Sequence, residues 1–286
     1  MRSEGLFDDC DEQTVRDAND FIERTLSAAD AFIPKHTVPI GFIKDGQFIH
    51  DRSGVLLQID RFHFLITAGH DILKAVENQF HLTILMPPAT PGLVPIVSDR
   101  ILCTKNPKED LCVTLLDDEA SAKLKVGYCF LRLTGLISSH DPSHQRAGLY
   151  VLGGFPRALM SKDEYGIVRC GLWTYLVGRY AGNRDDVEDF APTLHFIVNY
   201  ERSPKSRKLG KTVEAHCMSG GGMWRVPDSI AQPGAWDKDF KLAAIETAWH
   251  KKHEYAKGTW INIALVIIWK YFPDCRSPMR LHGIEF

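Results

Sequence analysis

Between residues 11 and 33 the apolar side chains Val15, Ala18, Phe21, Ile22, Leu26, Ala29 and Phe32 recur at intervals of three and four, with acids, Arg16 and Arg24 between them. Residues so spaced share one face of a helix, so the pattern predicts an amphipathic helix. Asp11 stands where a cap would, and Pro34 lies just past the end. From about residue 37 the period shortens to two. Residues 38–43, 47–50, 55–59 and 63–67 read as short strands, divided by the turn signals Asp45-Gly46, Ser53-Gly54 and Asp60-Arg61. Short strands at this spacing suggest an all-β sandwich or barrel. The helix then packs on the outside of that domain, with partner docking or self-association as its other reading.

Composition narrows the function classes. With 286 residues and 44% hydrophobic content, the chain has enough apolar material for one large domain or two small ones. A net charge of −2 provides no overall field to recruit nucleic acid or an anionic membrane. The longest apolar run, 260–269, contains Asn262 and is closed by Lys270, about half of what a membrane span requires. The amino terminus leads into acids rather than a basic and then apolar leader, so secretion is not expected. Seven cysteines without a Cys-x-x-Cys pair fit reduced thiols in a cytoplasmic protein. His250 and His253 sit three apart, but among lysines and without an acidic or thiol partner, so neither a metal nor any other cofactor is expected.

Three short stretches carry candidate chemistry. His70 follows the apolar run 64–68 within Thr67-Ala68-Gly69-His70. Asp110 opens the apolar run 111–116. Ser219 stands before Gly220, Gly221 and Gly222. A serine followed by glycines can lie on a tight turn with its hydroxyl open to a substrate and its backbone N–H groups facing a developing oxyanion. Each stretch alone reads more simply as an ordinary turn or cap.

Their order, however, resembles the trypsin-like (chymotrypsin-fold) serine peptidase family: a histidine turn, an aspartate opening a strand, then a glycine-flanked serine. The resemblance extends to residues 54–57 with 64–67, which look like the strand pair leading to the histidine, and to 149–156, ending Gly153-Gly154-Phe155-Pro156. It continues through 242–247 and 257–261, which look like the last two strands of a second barrel, and 262–272, which would be the terminal helix. It implies a double six-stranded β-barrel over residues 37–286, divided near 130–145, with residues 1–36 as an N-terminal helical extension and a helix at the C-terminus. It also implies that Ser219 is the nucleophile, His70 the general base and Asp110 the residue orienting His70. The backbone N–H groups of Cys217 and Ser219 would form the oxyanion hole. The first specificity pocket would have Val213 at its base and Thr247, Ala248, Trp249 and Gly258 as walls. That lining favours a small or apolar substrate side chain unless Trp249 fills the space. Within the family the chain looks like the intracellular bacterial members, which must be restrained to spare the host, as in a stress or phage-defence pathway.

Two positions depart from the pattern. Cys217 stands where glycine is usual, and its Cβ restricts the backbone that must present an N–H. Met218 replaces the acid that pairs with a freshly cut amino terminus, so activation by that ion pair is not expected. The partners implied are a protein or peptide substrate and a regulatory protein, with neither nucleic acid nor membrane. Cys217 supports an alternative, a catalytically weakened member that binds peptides or a partner through the same cleft. A third reading is an unrelated all-β protein. His216 reads as a solvated loop residue, and the loop 201–211, with five basic residues, as a solvated surface or an acidic-partner dock.

Overall fold

Glu12–Phe32 forms the first helix, α1, and its apolar stripe delivers Phe21, Ala28, Ala29 and Phe32 into a core shared with the β structure. Phe32 meets Trp224 and Phe240, each at 5.8 Å between ring centroids, and Thr174 donates to Asp30 at 2.6 Å. The computed structural model describes residues 12–70, 72, 75, 81–96, 100–137, 148–164, 166–200, 213–227, 230 and 240–286. The expected cap at Asp11, the helical turn through Leu73 and Val76, and the basic loop 201–211 lie outside the described residues.

The rest is mostly β, in two curled antiparallel sheets. The first contains β1 (Thr37–Lys44), β2 (Gln47–Ile59), β3 (Phe62–Ala68), β4 (Leu82–Leu85), β5 (Leu93–Pro95), β6 (Ile101–Cys103), β7 (Leu111–Leu115) and β8 (Leu131–Arg132). Its order is β5-β4-β1-β2-β3-β7-β6, with β8 running parallel against β2, so it carries eight strands rather than the six expected. The second sheet begins at β9 (Tyr150–Gly154). After the small ribbon β10 (Met160–Lys162) with β11 (Val168–Cys170), it continues with β12 (Trp173–Val177), β13 (His195–Asn199), β14 (Gly222–Arg225), β15 (Lys241–His250) and β16 (Tyr255–Trp260). Its order is β12-β9-β14-β15-β16-β13.

Alternation along the strands explains the layering. On β2 and β3, Leu56 and its register partner Leu65 face the interior of the first sheet with Val38, Ile84 and Cys112. Val55, Leu57, Phe64 and Ile66 face the opposite way and join Val151, Trp224 and Ile245 of the second sheet. A strand buried on both faces loses the polar half of its alternation. This is why residues 54–57 and 64–67 read as continuous apolar runs.

The turn expected at Ser53-Gly54 is absent. β2 runs through it, and a Cβ on Gly54 would lie 2.6 Å from Ile40 Cδ1 and 2.8 Å from Leu65 Cδ1. The glycine serves strand packing, not reversal.

Beyond the sheets, Asp118–Leu124 forms α2, capped by Asp117, whose side chain accepts from the Ala120 N–H at 2.6 Å. Ile261–Tyr271 forms α3, which buries Ile261, Ala264, Leu265 and Ile268 at helical spacing, and Phe272 beyond it meets Phe64 at 5.1 Å. A further helix, α4 (Arg276–Leu281), was not expected; its buried Met279 anchors it. No helix among the described residues is long and apolar enough to cross a membrane.

Candidate active site

β3 ends at Ala68 and β7 begins at Leu111, its antiparallel partner, so residues 69–70 and 110 emerge side by side. Asp110 adopts a left-handed backbone, φ 43°, tolerated by aspartate better than by most residues. Its carboxylate grips His70 twice: Oδ1 accepts the His70 backbone N–H at 2.6 Å and Oδ2 contacts Nδ1 at 2.8 Å. An ionised carboxylate only accepts, so Nδ1 carries the proton and Nε2 is left with a free lone pair. The Asp110 hydrogen bond raises the His70 pKa above its ordinary value, against the opposing effect of burial. The second sheet holds this corner from behind. Thr259 donates to Glu109 O and His195 Nε2 to Lys108 O, both at 2.6 Å. His195 Nδ1 accepts from the Ala191 N–H at 3.0 Å, which fixes its neutral tautomer; burial lowers its pKa accordingly. From the first sheet, the buried Arg52 donates to Ala68 O at 3.2 Å and His70 O at 2.6 Å, fastening the chain that carries the imidazole.

The segment leading to β14 makes two consecutive turns, with the Met218 N–H on Ala215 O at 3.0 Å and the Gly221 N–H on Met218 O at 2.7 Å. Gly220 sits at φ 91°, and a Cβ there would be 2.0 Å from Ser53 O and 2.2 Å from Thr67 Oγ1. Only glycine lets the serine turn come this close to β2 and β3. Ser53 is the stitch between the sheets. Its N–H reaches Ser219 O at 2.9 Å, and its hydroxyl donates to Cys217 O at 3.1 Å while accepting the Phe155 N–H at 2.9 Å.

Cys217 takes φ 71°, the left-handed conformation that its Cβ disfavours. The His216 carbonyl accepts the Arg157 N–H at 2.8 Å. Because a trans peptide unit points its C=O and the following N–H in opposite directions, that contact turns the Cys217 N–H the other way. Among the described residues, neither the Cys217 nor the Ser219 N–H has an acceptor. Cys217 therefore holds a backbone conformation that glycine adopts freely, and the cysteine bears the strain itself.

Ser219 is partly exposed, and its side chain is hydrogen-bonded to Glu246 of β15. No hydrogen bond joins it to His70 among the described residues. Glu246 is 3% exposed, its backbone pairs with Gly220 N–H at 2.7 Å and Gly221 O at 2.8 Å, and both His70 and Asp110 act on it electrostatically. Burial, chiefly, pushes its carboxyl pKa up to about 8. Sequence reasoning passed over Glu246, reading 242–247 only as a strand. The signal was an acid inside an apolar run, which is rare in a fully buried strand unless it is partnered.

Comparison of the sequence with protein-family models found no match, and comparison with curated proteins found none.

The residues expected to line the first specificity pocket lie in or beside the second sheet. Val213 is fully buried in the cluster that holds Tyr200, Met218 and Met223. A Cβ on Gly258 would be 2.7 Å from Met223 Sδ, so that thioether occupies the space beside it. Thr247 is buried and donates to Lys257 O at 3.3 Å, while Ala248 adjoins an irregularity in the β15–β16 pairing. Trp249 lies edge-on to Tyr200 at 5.7 Å and to His216 at 6.0 Å. His216 is exposed and pairs with Glu214 at 3.5 Å. The base expected at Val213 is thus packed within the core of the second sheet.

Proposed function

We propose that the chain is a serine endopeptidase of the trypsin-like kind, cleaving protein or peptide substrates through an acyl-enzyme. The observation that carries the reading is the two-point grip of Asp110 on His70, which leaves Nε2 as the available base at the seam where Ser219 emerges. In this reading Ser219 Oγ attacks the substrate carbonyl carbon as His70 Nε2 takes the hydroxyl proton. The Cys217 and Ser219 N–H groups receive the developing oxyanion. His70 then returns the proton to the leaving amine, and water repeats the sequence to release the acyl group. Asp110 keeps the imidazole in its productive tautomer and stabilises the imidazolium. The double-barrel, chymotrypsin-like form of the fold belongs to the same proposal, as does a regulatory partner. Digestion of a denatured-protein peptide mixture, with the new termini read by mass spectrometry, tests it. Wild type should generate cuts and Ser219→Ala none; equal cutting by both would refute it.

A second reading is supported by the Ser219–Glu246 hydrogen bond, which engages the hydroxyl away from His70. It makes the chain a weakened member that binds peptides in the same cleft. That reading predicts peptide binding without cuts at any pH.

A further inference from the structure

We propose that Glu246 is a fourth member of this site, a carboxylic acid whose proton decides whether the Ser219 hydroxyl is offered to His70 or withheld from it. The inference rests on the hydrolase reading above. Glu246 cannot leave the nucleophile: its own backbone N–H and C=O are bonded to Gly221 and Gly220, the two residues after Ser219. Its side chain is fully buried, one oxygen meets the Ser219 hydroxyl, and the other, Oε2, has no partner among the described residues. An ionised carboxylate buried with an unsatisfied oxygen is costly; a neutral acid is much less so.

The two protonation states make opposite hydrogen bonds. A neutral Glu246 has an O–H that it donates to Ser219 Oγ, leaving the serine's own proton free for His70 Nε2. An ionised Glu246 has only acceptors, so the Ser219 proton turns to it, in a charge-assisted bond roughly twice as strong as a neutral one. The charged groups facing Glu246 are His70 at the end of β3 and Asp110 before β7, with Arg52 of β2 acting on His70 from behind. Lys257 of β16 interacts instead with Asp189, Glu188 and Asp110. Ionisation would put a second negative charge beside Asp110 and close to the oxyanion, which opposes attack. The carboxyl, poised at about 8, makes the change at mildly alkaline pH.

The test is the rate at which diisopropyl fluorophosphate modifies Ser219, measured from pH 5 to 10 in wild type and Glu246→Gln. Glutamine keeps a donor permanently on Ser219 Oγ. In wild type the rate should rise through the His70 titration, then fall about tenfold per pH unit above roughly 8; in the variant it should reach a plateau and stay there. Superimposable profiles would overturn the proposal. If neither protein is modified at any pH, the hydrolase reading fails. Infrared titration then decides the present one: a protonated-carboxyl band lost near pH 8 in wild type supports it, and its absence at pH 7 overturns it. The same wild-type titration decides the matter if the variant does not fold.

Discussion

Asp110 and Cys217 hold backbone conformations that side chains disfavour, and for different reasons. At Asp110 the turn aims a carboxylate at His70, so replacing it by asparagine should remove the acceptor that sets the Nδ1–H tautomer. Asp110→Asn should lower peptide turnover roughly 10⁴-fold and return the His70 pKa toward its ordinary value, as followed by NMR titration of the ring. At Cys217 the thiol only approaches His50 O at 3.9 Å, and the conformation is one glycine adopts freely. Cys217→Gly should therefore raise stability by about 1 kcal/mol in urea unfolding while preserving labelling of Ser219. Loss of stability would show that the thiol, not the backbone, is what the site requires. Glu246 has the reverse character. Its folded pKa of about 8 lies above the unfolded carboxyl value of 4.5, so the folded state binds the extra proton between those limits and stability falls as pH rises through them. At about 1.4 kcal/mol per unit, several kcal/mol are involved. Glu246→Gln should gain in melting temperature relative to wild type between pH 5 and pH 9; a constant difference across that range would contradict this. Of these residues His70 and Asp110 could be picked out because each borders an apolar run, and Ser219 because three glycines follow it. Glu246 shows in the sequence only as an acid within an apolar run; its place in the site comes from its neighbours, which β3, β7 and the serine turn supply.

α1, β1, β3 and β7, expected from the apolar pattern, and β16 and α3, expected from the family resemblance, fall within a residue or two of their expected limits, whereas β15 runs three residues past its expected end at 247. β2 reads from the sequence as two strands because Ser53-Gly54 has the composition of a turn, whereas Gly54 answers to Ile40 and Leu65 on neighbouring strands. The same strand supplies the links that no local pattern reveals. His50 places its two ring nitrogens 3.1 Å from Ile40 O and 2.6 Å from Phe155 O, and Ser53 ties β2 to both the serine turn and the end of β9. Ser53→Ala should leave the buried Phe155 N–H and Cys217 O unpaired. We expect about 1–3 kcal/mol of destabilisation in chemical denaturation together with slower Ser219 labelling. Unchanged labelling would mean that the turn keeps its shape without β2.

At the scale of the whole molecule, the candidate site exists only where the two sheets meet. His70 and Asp110 belong to the first sheet, Ser219 and Glu246 to the second, and Thr259, His195 and Ser53 cross between them. Two shifted groups then shape the pH response. His70, raised above 6.5 by Asp110, must lose its proton to act as a base, and Glu246, at about 8, must keep its own. Peptide hydrolysis should consequently rise as His70 loses its proton and fall as Glu246 loses its own at about 8, and a broad alkaline plateau would exclude the pairing. His70 contributes stability that is complete below pH 6.5 and is lost as pH rises through its folded pKa, the same direction as Glu246. The central claim is that Ser219 is a nucleophile activated by His70. It is tested most directly by treating wild type, His70→Ala and Ser219→Ala with a fluorophosphonate near pH 7.5 and locating the adduct by peptide mass spectrometry. The account predicts one adduct, on Ser219, formed rapidly only in wild type; no adduct in wild type, or equally fast modification in His70→Ala, would contradict it.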